Sequence, residues 1–324
     1  MSPQINKNLS IVIPTFNRAP FLDYSLEIHL PFVRKHNIPI YVSDNASEDN
    51  TKEVVEKWIK RYDLLFYSKN EKNLGPDANF EIALKIPTTK YIWLLGDSSQ
   101  ISLSVFDEVM KKLNDFYDLI VLNNEERVRT IKTQLVQDKH FLLSELGWNM
   151  TQMSSLVYNR DLISNSNFLR YSGTRFVQTG VIFEYFAYKD SILVSWNEHL
   201  SIDRIQKKGL VKHGWKKETF DIWIEKWSNF VLSLPSVYSL DNKLKMIQTH
   251  NHNTKLFSFA SLLLYRSEGF YNISEFLYYR KYFDIALRKK NIAKFFFVAL
   301  LPRIIIKLCI FLYRSFINKK SNFL

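Results

Sequence analysis

The sequence predicts an α/β fold: a mostly parallel, doubly wound sheet followed by a helical C-terminal extension. Three observations predict it. Short apolar runs alternate with helix-period segments from Leu9 to Leu122. Clusters of small polar residues (Thr15–Arg18, Asp44–Asn50 and Gly96–Gln100) follow the apolar runs, at the strand ends where such sheets bind ligands. From Thr219 onward the pattern is helical to the end of the chain.

Each element has its own signal. Leu9–Pro14 (LSIVIP) is an apolar run closed by a proline and reads as a buried strand. Pro20–His36 reads as a helix, and Pro39–Ser43 as the second strand. Glu48–Arg61 has helical period, with Glu53 and Lys57 spaced as an i,i+4 pair. Leu64–Ser68 is the third strand. A short helix over Asp77–Lys85 follows Gly75-Pro76. Tyr91–Leu95 (YIWLL), Leu103–Asn114 and Asp118–Leu122 complete the series as strand, helix and strand. This alternation implies parallel strands joined by crossovers. Beyond Leu122 the pattern loosens. Arg127–Val136 reads as a strand pair, Ser155–Tyr158 and Ile192–Trp196 as further strands, and Phe176–Tyr188 as a helix. The expected division is an α/β domain over 1–205 (halves 1–122 and 123–205), a helical region over 206–290 and a tail over 291–324.

Composition narrows the class. The 324 residues are 46% hydrophobic, enough to build a sizeable core. The formal charge is +12, but from Arg280 onward eleven Lys and Arg residues face one acid, Asp284. That local +10 leaves the rest near neutral, the distribution expected of a tail that meets an anionic surface. One cysteine, Cys309, excludes a disulfide framework within the chain and a Cys-based zinc site. The polar Met1–Asn8 has no apolar core of a signal peptide, so a cytoplasmic chain is expected. No G-x-G-x-x-G and no G-x-x-x-x-G-K-[ST] occurs, which argues against dinucleotide dehydrogenases and P-loop NTPases.

Four motifs stand in order. Pro14-Thr15-Phe16-Asn17-Arg18 follows the first strand, and Asp44-Asn45-Ala46-Ser47-Glu48-Asp49-Asn50-Thr51 the second. Asn73-Leu74-Gly75-Pro76-Asp77-Ala78-Asn79 opens the third helix, and Gly96-Asp97-Ser98-Ser99 closes the fourth strand. This run resembles the family 2 glycosyltransferases over roughly residues 9–100, and its YIWLLGD strand is similar to the subgroup that builds O-antigen and capsule sugars, abequosyltransferases included. The resemblance implies a glycosyltransferase A fold and transfer, with inversion, from a nucleotide-sugar to a bacterial surface polysaccharide or lipid-linked glycan. It also implies a donor-contact set of Pro14, Thr15, Asn17, Arg18, Asp44, Asn73, Gly75, Asn79, Gly96 and Asp97. Within that set Asp44 can accept from a nucleoside or belong to a helix-capping cluster with Asn45, Ser47 and Asp49. Arg18 faces either a diphosphate or solvent, and Asn17 shapes the turn.

The departure lies in the aspartate cluster. Similar enzymes hold a divalent metal there, whereas this chain has Asp-Ser-Ser over 97–99. Three outcomes stay open: Mg²⁺ or Mn²⁺ on Asp97 with help from substrate oxygens, metal-independent transfer using cationic side chains, or a site without catalysis. The acceptor hydroxyl needs a general base. The Phe-x-Glu-Asp stretch of similar enzymes corresponds to Phe176-Val177-Gln178-Thr179, which lacks both acids, so Glu184 is the nearest candidate. His213, beside Lys212, is the candidate for a metal or pyrophosphate contact. The rival reading is a degenerate nucleotide-sugar or glycan-binding subunit. In the tail, Arg303, Lys307 and Arg314 fall within about 40° of one another on a helical wheel. That basic stripe on an apolar helix predicts a peripheral location on the inner face of the cell membrane, in contact with anionic lipid. Its long apolar runs fit lipid better than nucleic acid, for which no role is expected.

Overall fold

Seven consecutive buried residues make the first strand, β1 (Leu9–Thr15), as expected of a parallel strand covered on both faces. The structure, a computed structural model, describes residues 5–207, 209–210, 215–287 and 292–321. In chain order β1 is followed by α1 (Ala19–Val33), β2 (Ile40–Asp44), α2 (Thr51–Ile59), β3 (Leu65–Lys69), α3 (Pro76–Lys85), β4 (Tyr91–Leu94), β5 (Ser99–Gln100), α4 (Leu103–Lys112) and β6 (Leu119–Asn124). Apart from the two-residue β5, every one of these elements matches a sequence expectation to within a few residues. Alternate residues of β1 serve opposite faces. Leu9, Ile11 and Ile13 join Leu22, Leu26, Val55, Trp58, Phe106 and Val109 of α1, α2 and α4 in one core cluster. Helix α3 packs on β1 and β2 from its own side, together with the later α6 (Arg160–Ser164) and α7 (Val177–Ala187).

After β6 come β7 (Gln134–Val136), β8 (Leu156–Asn159) and β9 (Val194–Arg204), and the sheet has nine strands among the described residues, in the order β3-β2-β1-β4-β8-β6-β9-β5, with β7 on β9. β1 to β4 run parallel, and β6 runs parallel to β9 (Val194–Arg204). Between β4 and β6, however, lies β8 (Leu156–Asn159), antiparallel to both. A strand was expected there, but its direction is set by the chain reversal through α5 (Lys139–Phe141) and the turns after it. The expected strand pair over Arg127–Val136 reduces to β7 (Gln134–Val136), antiparallel to β9. β9 in turn runs past the expected end at Trp196 and reaches β5, pairing Gln100 with Asp203. Because β1, β2, β3, β4 and β6 point the same way, their polar ends share one edge. There Thr15 stands opposite Asp44, and Asp44 opposite Lys69.

The chain divides into two compact units, Met1–Val211 with Ser233–Met246, and Lys212–Leu232 with Ile247–Leu324. As expected, the later chain is helical: α8 (Trp227–Ser233), α9 (Leu240–Thr254), α10 (Phe259–Glu268), α11 (Ile273–Tyr279), α12 (Phe283–Ala286), α13 (Ile292–Leu300) and α14 (Arg303–Ser321). The second unit is built on aromatic packing. Phe220 stacks on Tyr271 at 4.6 Å and meets Phe257 edge-on at 5.1 Å. Among the described residues no single helix is long and apolar enough to cross a membrane.

Packing at Gly180 gives a direct test of the first unit. A Cβ at Gly180 would lie 2.5–2.8 Å from the Tyr171 ring, and that ring is held by its hydroxyl, which donates to Glu184 at 2.6 Å. Helix propensity alone would make Gly180→Ala stabilising by about 1 kcal/mol. Overpacking of a closed core costs about 1–3 kcal/mol and wins where the neighbour cannot yield. Gly180→Ala is therefore expected to lower Tm by roughly 2–8 °C. A thermal melt in which Tm rises would show that the ring is free to move.

Candidate functional site

Asp97 follows β4 and is 6% exposed. Its Oδ2 accepts a hydrogen bond from Thr15 Oγ1 at 3.1 Å, and its Oδ1 lies 3.0 Å from Arg18 Nε. The Arg18 guanidinium also stacks 4.3 Å over the Phe21 ring, which fixes its plane. Burial raises the Asp97 pKa from 3.8 to about 6, against the opposing pull of Arg18, Thr15 and the Ser98 amide. Arg18 reaches this position through Asn17, whose φ of 51° is a left-handed turn. That turn is held at both ends: Asn17 N donates to Ser47 Oγ and Glu48 N donates to Asn17 Oδ1, each at 2.8 Å. Asn17 shapes the turn, as the sequence suggested.

The second seam is neutral. Asn45 Nδ2 donates to Asn73 Oδ1 at 2.8 Å and to the Gly75 carbonyl at 3.2 Å, while its Oδ1 accepts from Asn70 Nδ2 and Leu74 N, each at 3.0 Å. Asn79 is buried and bonded to the Ser43 hydroxyl and carbonyl. Gly75, at φ 83°, turns the loop into α3. Phe16 and Leu74 flank Asn45, at 40% and 42% exposure; the amide of Asn45 bonds Thr15 O and its side chain bonds Leu74 N. Neither apolar residue stood in the sequence-derived set. Their signal was an apolar residue inside each polar strand-end motif.

Several expectations change with the geometry. Asp44 is fully buried, and both of its oxygens already have donors: Ser47 N at 2.8 Å and the Tyr67 hydroxyl at 2.6 Å. It braces the loop instead of presenting a free carboxylate. Asp49 was read as a cap for its own helix, and its Oδ1 does accept from Thr51. Its Oδ2, however, accepts from Ala19 N, the first residue of α1, at 2.9 Å. Pro14 is buried opposite Ser43. Gly96 donates its N–H to Ser154 Oγ at 2.9 Å.

Glu184 is held by Arg170 and by the Tyr171 hydroxyl, and is 8% exposed. Its carboxylate is engaged in an ion pair, and it borders a groove of about 360 Å³ with Tyr185 and Tyr188. Gln178 and Thr179 likewise donate to the Thr151 and Met150 carbonyls. His213 and Lys212 lie outside the described residues.

The side chains around Asp97 are engaged with one another. Among the described residues no group of three or more His, Cys, Asp or Glu side chains is arranged to hold a metal ion. The Asp97 oxygens face Thr15 and Arg18, and the Ser99 hydroxyl is turned inward to Ser154 Oγ at 2.7 Å. Ser98 alone of the two serines is partly exposed. Beside this turn lies a groove of about 670 Å³, lined by Tyr24, Gln100, Glu125, Glu126, Asp203, Arg204 and Gln206. The Ile205 amide ties the groove to the Ser98 carbonyl at 2.9 Å. Glu125 is paired with Arg127 and Arg204, while Glu126 and Asp203 are exposed.

Comparison with known proteins agrees with this architecture. Residues 10–182 match the family described as Glycosyl transferase family 2. The chain is similar to the abequosyltransferase RfbV of Salmonella typhimurium, 28% identical over 231 residues, which are 62% of this chain and 69% of that one. It is also similar to GalNAc(5)-diNAcBac-PP-undecaprenol beta-1,3-glucosyltransferase of Campylobacter jejuni, 29% identical over 110 residues, 34% of this chain and 35% of that one. Among solved structures it resembles S. aureus TarS 1-349 in complex with UDP-GlcNAc, at a TM-score of 0.54 and 15% identity over 90% of each chain. It also resembles the mannosyltransferase PcManGT from Pyrobaculum calidifontis in complex with GDP-Man and Mn2+, at 0.55 and 13% identity over 93% of this chain and 89% of that one. At these identities the structural likeness shows the fold, a glycosyltransferase A fold.

The raised pKa of Asp97 has a stability consequence with a definite sign. The folded protein keeps a proton on Asp97 that the unfolded chain releases near 3.8. This contribution is complete below about pH 4 and is lost as pH rises through about 6. Wild type is expected to lose on the order of 1–3 kcal/mol relative to Asp97→Asn between pH 4 and 7. Urea titrations of both proteins across that range measure the difference. Parallel stability curves would mean that Asp97 ionises as freely when folded as when unfolded.

Proposed function

This chain belongs to glycosyl transferase family 2, and on that premise we propose that it moves a sugar, with inversion, from a nucleotide-sugar to a bacterial surface polysaccharide or lipid-linked glycan. It is a glycosyltransferase; donor, acceptor and stereochemical course are the proposed part. The observation that carries the proposal is the Thr15–Asp97–Arg18 contact at the shared strand edge. It sets a guanidinium beside the partly exposed Ser98, on the side of the sheet where ligands of such folds bind. The names of the two curated relatives, an abequosyltransferase and a transferase for a PP-undecaprenol glycan, support a glycan acceptor.

In this reading the nucleobase lies against Phe16 and Leu74, and the diphosphate meets Arg18. The acceptor sits in the groove lined by Gln100, Glu126 and Asp203, whose hydrogen-bonding side chains suit a sugar's hydroxyls. Its hydroxyl oxygen bonds to the anomeric carbon from the face opposite the leaving group. The bond from that carbon to the diphosphate breaks, the electron pair leaves on phosphate oxygen, and the hydroxyl proton passes to one of the exposed carboxylates of that groove, Glu126 or Asp203. Arg18 offsets the charge that develops on the leaving diphosphate. Such fixed cationic stabilisation contributes on the order of 10²–10³ in rate.

A panel of nucleotide-sugars with a lipid-linked acceptor, in Mg²⁺, in Mn²⁺ and in EDTA, tests the donor half. Turnover is expected to persist in EDTA, and Arg18→Ala is expected to lower kcat/KM on the order of 10²-fold. Turnover that requires metal and disappears in Asp97→Ala would overturn the metal-free reading. No turnover with nucleotide binding retained would favour a degenerate binding subunit. For the acceptor half, Glu126→Gln and Asp203→Asn together should raise the acceptor KM about tenfold or more with donor KM unchanged. An unchanged acceptor KM would place the acceptor elsewhere.

A further inference from the structure

The last two described helices form an elbow. α13 and α14 are bent by 97° across a short break, and both pack on α10. Two arginines lock the bend. Arg266 Nε donates to the Leu301 carbonyl at 2.9 Å, and its NH1 group donates to the Tyr271 carbonyl at 3.3 Å. Arg303 donates through Nε to the Ser267 carbonyl and through NH2 to the Glu268 carbonyl, both at 2.9 Å. These are carbonyls at the C-terminal end of α10, where a cation is favoured. The expected basic stripe therefore loses Arg303, which is a fastening of the fold.

What the elbow leaves exposed is apolar. Among the described side chains of α14 only Ile306 is buried, while Ile304 is 81% exposed and Ile305, Leu308, Phe311 and Leu312 are all above 55%. On α13, Phe295, Val298 and Ala299 face inward, whereas Phe296, Phe297 and Leu300 are about half exposed. At about 100° per residue the exposed apolar residues form one arc on each helix, with a lysine at its margin: Lys294 on α13 and Lys307 on α14. Lys307 and Phe311 border a groove beside Leu264 and Glu268 of α10, and the rest of the α14 arc is open to solvent. An arc this broad and continuous is more than scattered surface hydrophobes.

We propose that the outer face of the α13–α14 elbow docks on an anionic lipid bilayer, its apolar arcs entering the interface and its marginal lysines meeting the headgroups. Charge selects this occupant over a second copy of the chain. From Arg280 onward the sequence carries eleven basic residues and one acidic residue, so two such faces would repel, whereas an anionic surface attracts them. Lysines at the edge of an apolar face keep their stems in the apolar layer and their charge at the headgroups. The locked bend makes an in-plane clamp from helices of which, among the described residues, none is both long and apolar enough to span. The inference does not rest on the chemistry of the first unit.

Flotation of the full chain with vesicles tests it, using phosphatidylcholine alone and an equimolar mixture with phosphatidylglycerol. Binding is expected to be at least about tenfold stronger on the mixed vesicles and to weaken at high salt. Lys294→Glu with Lys307→Glu should remove most of that preference. Ile304→Ser with Leu308→Ser should abolish binding to both vesicles while leaving far-UV circular dichroism and Tm unchanged, because both side chains are exposed. Equal binding to both vesicles, or to neither, would overturn the proposal. So would a dimer in light scattering that Ile304→Ser with Leu308→Ser dissolves, since the face would then belong to a second copy.

Discussion

A carboxylate taken out of water must find its partners inside the protein or give up its charge. Asp97 does some of each. Thr15 donates a hydrogen bond to one of its oxygens, the Arg18 guanidinium forms an ion pair with the other, and burial raises its pKa to about 6. Because Thr15 ends β1 and Asp97 follows β4, this contact fixes two neighbouring strand ends against each other. It then propagates. Arg18 is brought in by the left-handed Asn17, Asn17 is fixed by Ser47 and Glu48, and the start of α1 is bonded by Asp49, which is itself tied to Thr51. Positioning the guanidinium thus depends on loops that follow both β1 and β2, and no single motif accounts for it.

Between the charged groups of this edge, the loop that enters α3 is shaped by neutral ones. Asn45 uses both amide hydrogens and both lone pairs, bonding Asn73, Gly75, Asn70 and Leu74. Aspartate at this position would set two acceptors against the Asn73 and Gly75 oxygens. The shape of the third loop is therefore written in neutral groups whose hydrogen-bonding capacity is used up. A saturated network of this kind holds a single geometry, which leaves Phe16 and Leu74 exposed on either side of Asn45.

The legible part of the sequence was the part governed by local pattern. Apolar runs and helix periods over residues 9–122 located the successive strands and helices because each signal lies within its own segment. The strand-end motifs located the edge for the same reason. Direction and partnership are not local. β8 looks like any short apolar strand, and its antiparallel direction comes from the chain reversal before it. Glu184 reads as a free helix-face acid until Arg170 and Tyr171, more than three helical turns earlier in the chain, are brought to it. Asp44 reads as a nucleoside contact until Tyr67 on β3 closes over it. Arg303 fits a basic stripe on a helical wheel, yet its donors are spent on carbonyls of α10. In each case a polar side chain was visible in the sequence and its partner was not.

The two serines after Asp97 fit the same electrostatics. Ser99 is buried, and its hydroxyl bonds Ser154, which in turn holds the Gly96 amide. A carboxylate at that position would lie buried against a hydroxyl with no cation beside it among the described residues, and its charge would add to that of Asp97. Like charges so close raise one another's pKa, so a second acid would weaken the pairing of Asp97 with Arg18. With hydroxyls instead, the turn carries one negative charge matched by one guanidinium, whose side chain remains 28% exposed.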